Sequence, residues 1–210
     1  MFYIAKTPTW VQKLFTGSIW KMPQAKKTIY LTFDDGPHPV VTPFVLNELE
    51  KWNAKATFFC IGKNVVDNPL IFNQIKKAEH AIGNHTYDHL DGWKTENSKY
   101  LQNILKAKEQ INSVLFRPPY GRITRKQYKA LTQLNDPFKI IMWSVLSGDF
   151  DINISPEQCA NNVLQNATSG SVVVFHDSEK ASERLRYALP AVLKYFSEKG
   201  YVFEKIVLNS

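Results

Sequence analysis

Beyond residue 27 the chain alternates short apolar runs with longer stretches of helical periodicity. The runs are TIYLTF (28–33), ATFFCI (56–61), HAIGN (80–84), SVLFR (113–117), KIIMWSV (139–145), SVVVFH (171–176) and YVFEKIV (201–207). Several lack the alternation of a half-exposed strand, which predicts parallel strands covered on both faces. Amphipathic patterns at 40–53, 66–79, 97–111, 124–134, 155–167 and 182–199 predict helices between them. Their starts carry capping chemistry. Ser155-Pro156-Glu157-Gln158 and Thr124 with Gln127 read as capping boxes, and Thr42-Pro43 as an N-cap followed by proline. Pro190 predicts a kink or a restart in the last helix. Repeated strand–helix alternation predicts an α/β fold whose parallel sheet is closed, or nearly closed, into a barrel; an open doubly wound sheet is the alternative. In either case function gathers where the C-terminal ends of the strands meet.

The residues at those ends are chemically loaded. Asp34 and Asp35 follow the first run in IYLTFDDGPHP, and GNHTYDH follows the third. RPPYG (117–121), SGDFD (147–151) and HDS (176–178) follow the fourth, fifth and sixth. Adjacent carboxylates repel, so Asp34-Asp35 at the end of a buried strand implies a positive partner. His85 and His89, four apart, present both imidazoles on one side of a helical turn or tight loop. Two histidines and a carboxylate are a familiar set for Zn²⁺ or a related divalent ion. An HxxxH pair alone also occurs on surface helices; the nearby aspartate pair makes ligation the stronger reading. One aspartate then binds the metal and the other stays free beside it.

Composition narrows the class. The chain has 210 residues, 44% hydrophobic and 13% aromatic, which suits one globular domain with a small appendage. No apolar run reaches the length of a spanning helix. The first twenty residues lack a continuous apolar stretch and a small-residue cleavage site, so no signal peptide is expected; either the chain is the mature form or a cytoplasmic location follows. Cys60 and Cys159 are too few for a disulfide framework, and neither belongs to a CxxC pair. Of the net charge of +7, Lys6, Lys13, Lys21, Lys26 and Lys27 supply five in residues 1–33, where no Asp or Glu occurs. The rest is nearly balanced, which argues against a nucleic-acid partner. Trp10, Val11, Leu14, Phe15 and Ile19 recur at helical spacing among these lysines. Residues 1–27 are therefore expected as a basic, partly helical segment packed on the main body; peripheral contact with a membrane or an acidic polymer is the alternative.

From TFDDGP (32–37), HTYDH (85–89), RPPYG and VVFHD (173–177), in that order, the chain resembles the NodB-type polysaccharide deacetylases, carbohydrate esterase family 4, over about residues 28–207. The resemblance implies a deformed (β/α)7-type barrel over residues 28–210, a divalent metal (Zn²⁺ first, Co²⁺ or Ni²⁺ as alternatives) and an N-acetylated glycan substrate, with O-acetyl groups also in range. It makes Asp34 the general base, Asp35, His85 and His89 the metal ligands, and His176 the general acid. Arg117 would hold the base, and the Tyr120 N–H would help form the oxyanion site. The chemistry is coherent: a metal polarises the carbonyl and acidifies water, one residue takes a proton and another returns one to the leaving amine. Substrates of this family commonly lie outside the membrane, against a cytoplasmic location.

The fourth motif departs from the family. Its usual Asp-x-x-Asp-Trp is Leu146-Ser147-Gly148-Asp149-Phe150 here. The carboxylate that tunes the catalytic histidine is then Asp149 or Asp151. Val173, where leucine is common, is expected to shape the acetyl-methyl pocket. Tyr87, Trp93, Tyr120 and Phe150 could stack on sugar rings. His38 and Asp88 read as supporting residues, Asp88 bonding a ligand imidazole. Plainer readings make His176 a satisfied core histidine and Arg117 an ordinary ion pair. The competing functions are an amidohydrolase acting on small C–N substrates and a non-catalytic carbohydrate-binding relative.

Overall fold

The structure, a computed structural model, describes residues 4–14, 16–23 and 26–208, apart from the Leu14 side chain. Phe15 of the N-terminal periodicity, and the last two residues, lie outside that range. Among the described residues eight strands form: β1 (Thr28–Asp34), β2 (Thr57–Cys60), β3 (Ala81–Asn84), β4 (Leu115–Phe116), β5 (Lys139–Ile140), β6 (Val145–Leu146), β7 (Val172–His176) and β8 (Val202–Phe203). They pair in parallel in the order β5-β4-β3-β2-β1-β7-β6, and β8 joins the start of β1 through Thr28↔Val202 and Ile29↔Phe203. The result is a curled, incompletely closed barrel wrapped by helices, the deformed (β/α)7 form. Among the described residues, no helix is long and apolar enough to cross a membrane.

Strand parity sets what faces where. In β1, Ile29, Leu31 and Phe33 pack outward under the helices with Val173 and Phe175 of β7. Tyr30 lies in the inner cluster with Phe59 and Val172, and Thr32 and Asp34 share its face. The Phe33 and Phe58 rings stack at 5.0 Å between centroids in the outer core.

The fifth apolar run does not form one strand. Lys139–Ile140 and Val145–Leu146 lie at opposite edges of the sheet, and the residues between them cross the open seam. Their carbonyls are engaged elsewhere: Ile141 O and Met142 O accept from Arg117, at 3.2 and 3.1 Å. The N-terminal segment lies along the same seam. Ile19 N–H donates to Ile140 O and Met142 N–H to Ile19 O, while Leu146 N–H donates to Ala5 O.

The helices are α1 (Thr9–Leu14), α2 (Val41–Lys51), α3 (Gly62–Asp67), α4 (Pro69–Lys77), α5 (Asn97–Gln110), α6 (Arg125–Thr132), α7 (Pro156–Leu164) and α8 (Ser182–Glu198). The stretch expected as one helix over 66–79 is divided at Asn68, because Pro69 starts α4 and disfavours helical backbone in the residue before it. Thr42 is not the N-cap of α2. The N-cap position is Val40, which has no side-chain cap of its own; His38, two residues before it, accepts from the N–H groups of Val40 and Val41 through Nδ1 at 3.2 Å. Thr124 forms the full capping box. Ser155 caps Gln158 N–H, but Gln158 turns its own amide to Asn162. The helix α8 runs through Pro190 without a restart. Leu185, Leu189, Val192, Leu193 and Phe196 are buried along α8. At about 1.5–3 kcal/mol each, their burial outweighs the roughly 3 kcal/mol that an internal proline costs.

Candidate active site

Asp34 is the last inward-facing residue of β1 and is buried. Arg117, fully buried where β4 ends, donates through Nη1 to Asp34 Oδ1 at 2.7 Å and to Thr32 Oγ1 at 2.7 Å. The guanidinium lies 4.1 Å from the Phe59 ring centroid. Burial lowers its pKa, and the charge and hydrogen bond of Asp34 oppose that shift. Arg117 thus satisfies the seam carbonyls and Asp34 together.

Asp35 leaves the strand with a φ of 81°, which swings its carboxylate back to the cavity beside Asp34. Its Oδ1 lies 3.2 Å from His89 Nε2 and 3.7 Å from His85 Nε2. Ligand atoms of the three residues all fall within 4.8 Å of one another. Asp35 Oδ1 is buried and makes no hydrogen bond, an orphaned acceptor of the kind a cation satisfies. Burial raises the Asp35 carboxyl, but the adjacent His89, with the fields of His176 and His85, holds it below the ordinary range. His85 Nδ1 pairs with Arg117 O at 2.8 Å, leaving Nε2 to face Asp35. Burial, against the raising fields of both aspartates, puts the His85 pKa at about 4, so the ring is neutral, as a metal ligand must be. The donor set fits a divalent cation.

The loop presenting the histidines is tight. Thr86 and His89 both have positive φ, at 63° and 56°. Asn84 Oδ1 accepts from Thr86 N–H and Asn103 Oδ1 from Tyr87 N–H, both at 2.8 Å. Tyr120, in the Pro-Pro turn, has a φ of 60°. Three of the six described non-glycine residues with positive φ, Asp35, His89 and Tyr120, line one cavity, and Thr86 lies in the loop between its two histidines, the distribution expected where backbone strain serves a site.

His176, the last residue of β7, meets Asp149 twice: Oδ1 lies 2.7 Å from Nδ1, and Oδ2 accepts the backbone N–H at 2.6 Å. Burial lowers the imidazole pKa, but Asp149 by charge and hydrogen bond, helped by Asp35 and Asp34, raises it to about 10. Asp151 is turned away and accepts from Asn153. Asp34, Asp35, His85, His89 and His176 line one cavity of about 620 Å³.

A family model described as polysaccharide deacetylase matches residues 21–136, more than half of the chain. The chain belongs to the polysaccharide deacetylase family. It is 36% identical over 195 residues to a peptidoglycan-N-acetylglucosamine deacetylase of Bacillus cereus, covering 90% of this chain and 91% of that one. A chitooligosaccharide deacetylase of Azorhizobium caulinodans is 32% identical, with 84% and 93% covered. The crystal structure of a peptidoglycan N-acetylglucosamine deacetylase with a bound N-oxidanyl-benzamide superposes with a TM-score of 0.85 at 35% identity, covering 94% of both chains. A larger deacetylase of Listeria monocytogenes matches over 42% of its length.

Two supporting assignments for this deacetylase are corrected. Val173 does not line the cavity; it packs in the outer core, and Val174, two residues before His176 on the same strand face, takes that place. Asp88 bonds no ligand imidazole. It is exposed and accepts from Asn103 Nδ2 at 2.6 Å. Among the aromatics, Tyr87 packs on the core beneath Lys106, whereas Trp93, Tyr120 and Phe150 line the cavity. Phe150 meets the His176 ring edge-on at 5.3 Å.

Sequence reasoning missed several supports. Arg184, buried on α8, donates to Asp149 O at 2.7 Å. Asp177 is fully buried, accepting from Gly36 N–H and from Thr42 Oγ1. Burial, with the field of Asp35 and against the Thr42 hydrogen bond, raises its pKa to about 8. Its place directly after His176 was the only available signal.

Proposed function

We propose that this deacetylase hydrolyses the N-acetyl group of N-acetylglucosamine units in a cell-wall glycan or a chitin-like oligosaccharide, using a divalent metal. The observation that carries the reading is the Asp35–His85–His89 donor set standing in one cavity with two differently partnered groups, Asp34 on Arg117 and His176 on Asp149. A Zn²⁺ or similar ion held by Asp35, His85 and His89 would supply Lewis acidity toward the acetyl carbonyl and the attacking water.

Asp34, fixed by Arg117, accepts the proton of the attacking water. His176 is bonded to Asp149 through Nδ1, and its Nε2 delivers a proton to the departing amine. The Tyr120 N–H donates to the developing oxyanion. Val174 borders the acetyl methyl, and Phe150 and Trp93 flank the sugar. The base and the acid are separate residues, so neither must reset before the other acts.

The relatives named for peptidoglycan and chitooligosaccharide substrates support the choice of sugar. Acetate release from N-acetylated peptidoglycan and from chitooligosaccharides, with and without a chelator, tests the reading. Chelator-sensitive release from either is expected; none from both would overturn it.

A further inference from the structure

Strand parity alone would turn Asp35 away from the cavity. Tyr30, Thr32 and Asp34 face inward while Ile29, Leu31 and Phe33 pack outward, so the next odd residue should also point out. The left-handed φ of 81° reverses its direction, a backbone state that a residue with a Cβ rarely adopts unaided.

Four hydrogen bonds pin the peptide groups around this turn. Asp177 N–H donates to Asp34 O at 3.1 Å, and Asn64 Nδ2 donates to Asp35 O at 2.7 Å. Gly36 N–H donates to Asp177 Oδ1 at 3.1 Å, and Ile61 N–H to Gly36 O at 3.0 Å. Asp177 is itself anchored, its Oδ2 accepting from Thr42 Oγ1 at 2.5 Å. The approach is so close that a Cβ on Gly36 would lie 2.0 Å from Asp177 Oδ2.

We infer that Asp177 and Asn64 are positioning residues that hold Asp35 in its left-handed conformation and so aim its carboxylate at the cation. The inference rests on the metal reading proposed above. Neither residue lines the cavity or lies in the donor set. Asp177 also ties the end of β7, which carries His176, to the end of β1, which carries Asp34.

The test is Zn²⁺ affinity, measured by competition with a chromophoric chelator, together with melting curves of the metal-free proteins. Asn64→Ala and Asp177→Ala should each weaken Zn²⁺ binding about 10- to 100-fold, the usual effect of losing a partner that orients a ligand. Asp177→Asn, which keeps an oxygen for the Gly36 N–H, should stay near wild type. Wild-type affinity in folded Asn64→Ala and Asp177→Ala overturns the inference, as does a lowered melting temperature without lost affinity. If Asp177→Ala fails to fold, Asn64→Ala decides alone. A wild-type protein that binds no Zn²⁺ would instead overturn the metal reading itself.

Discussion

Asp149 grips His176 at two points, through the imidazole Nδ1 at 2.7 Å and the backbone N–H at 2.6 Å. One carboxylate therefore sets both where the ring stands and how strongly it keeps its proton. The motif's departure at Leu146 leaves this pair intact. Leu146 lines the cavity, and Asp149 bonds the histidine.

With the His176 pKa raised to about 10, the ring stays protonated across neutral pH, and activity should fall on the alkaline side near that value. Asp149→Asn should move this limb toward lower pH and cut kcat/KM at pH 7 by about 100-fold. The pH profile of acetate release checks both effects, and an unmoved limb would rule out the pairing as the source of the acidity. The shift is upward. The pair therefore stabilises the fold fully below the ordinary imidazole pKa of about 6.5, and loses that contribution as pH rises through about 10. Melting temperature should fall over that window in the wild type and less in Asp149→Asn.

Asp34→Asn should lower turnover by about 10²- to 10⁴-fold while Zn²⁺ affinity stays near wild type, since Asp34 lies outside the donor set. Single-turnover kinetics and metal titration separate the two. Full turnover in this variant would remove Asp34 from the role of base.

Arg117→Met strands Asp34 in a buried site and frees the carbonyls of Ile141 and Met142. Breaking a buried pair from one side costs about 3–5 kcal/mol, so stability should drop by about that much in denaturant titrations. A loss below 1 kcal/mol would reduce Arg117 to an ordinary ion pair.

Chelation should abolish acetate release, and added Zn²⁺, Co²⁺ or Ni²⁺ should restore it. His85→Ala should lose stoichiometric metal by elemental analysis. Retention of the ion at normal affinity would refute the ligand set.

The parity of β7 gives a paired prediction. Val173→Ala removes outer-core packing and should cost about 2 kcal/mol with KM unchanged. Val174→Leu crowds the cavity and should lower kcat/KM with the melting temperature little changed. Reversed effects would return the pocket to Val173.

Six of the seven expected strands, their parallel pairing and the residues at their ends were legible along the chain, because apolar run length, helical period and carboxylate–histidine spacing are local properties. So were the caps at Thr124 and Ser155. What tertiary structure alone decided depends on partners distant in sequence. The run 139–145 breaks because Arg117 and Ile19 claim its backbone. His38, not Thr42, accepts the N–H groups at the start of α2, while Thr42 bonds Asp177, 135 residues away. Asp35 faces the cavity only through a left-handed turn pinned by Asp177, Asn64 and Ile61, and Asp149 rather than Asp151 reaches His176. Sequence determines which groups stand at a strand's end; the hydrogen bonds that close between distant strands determine where those groups point.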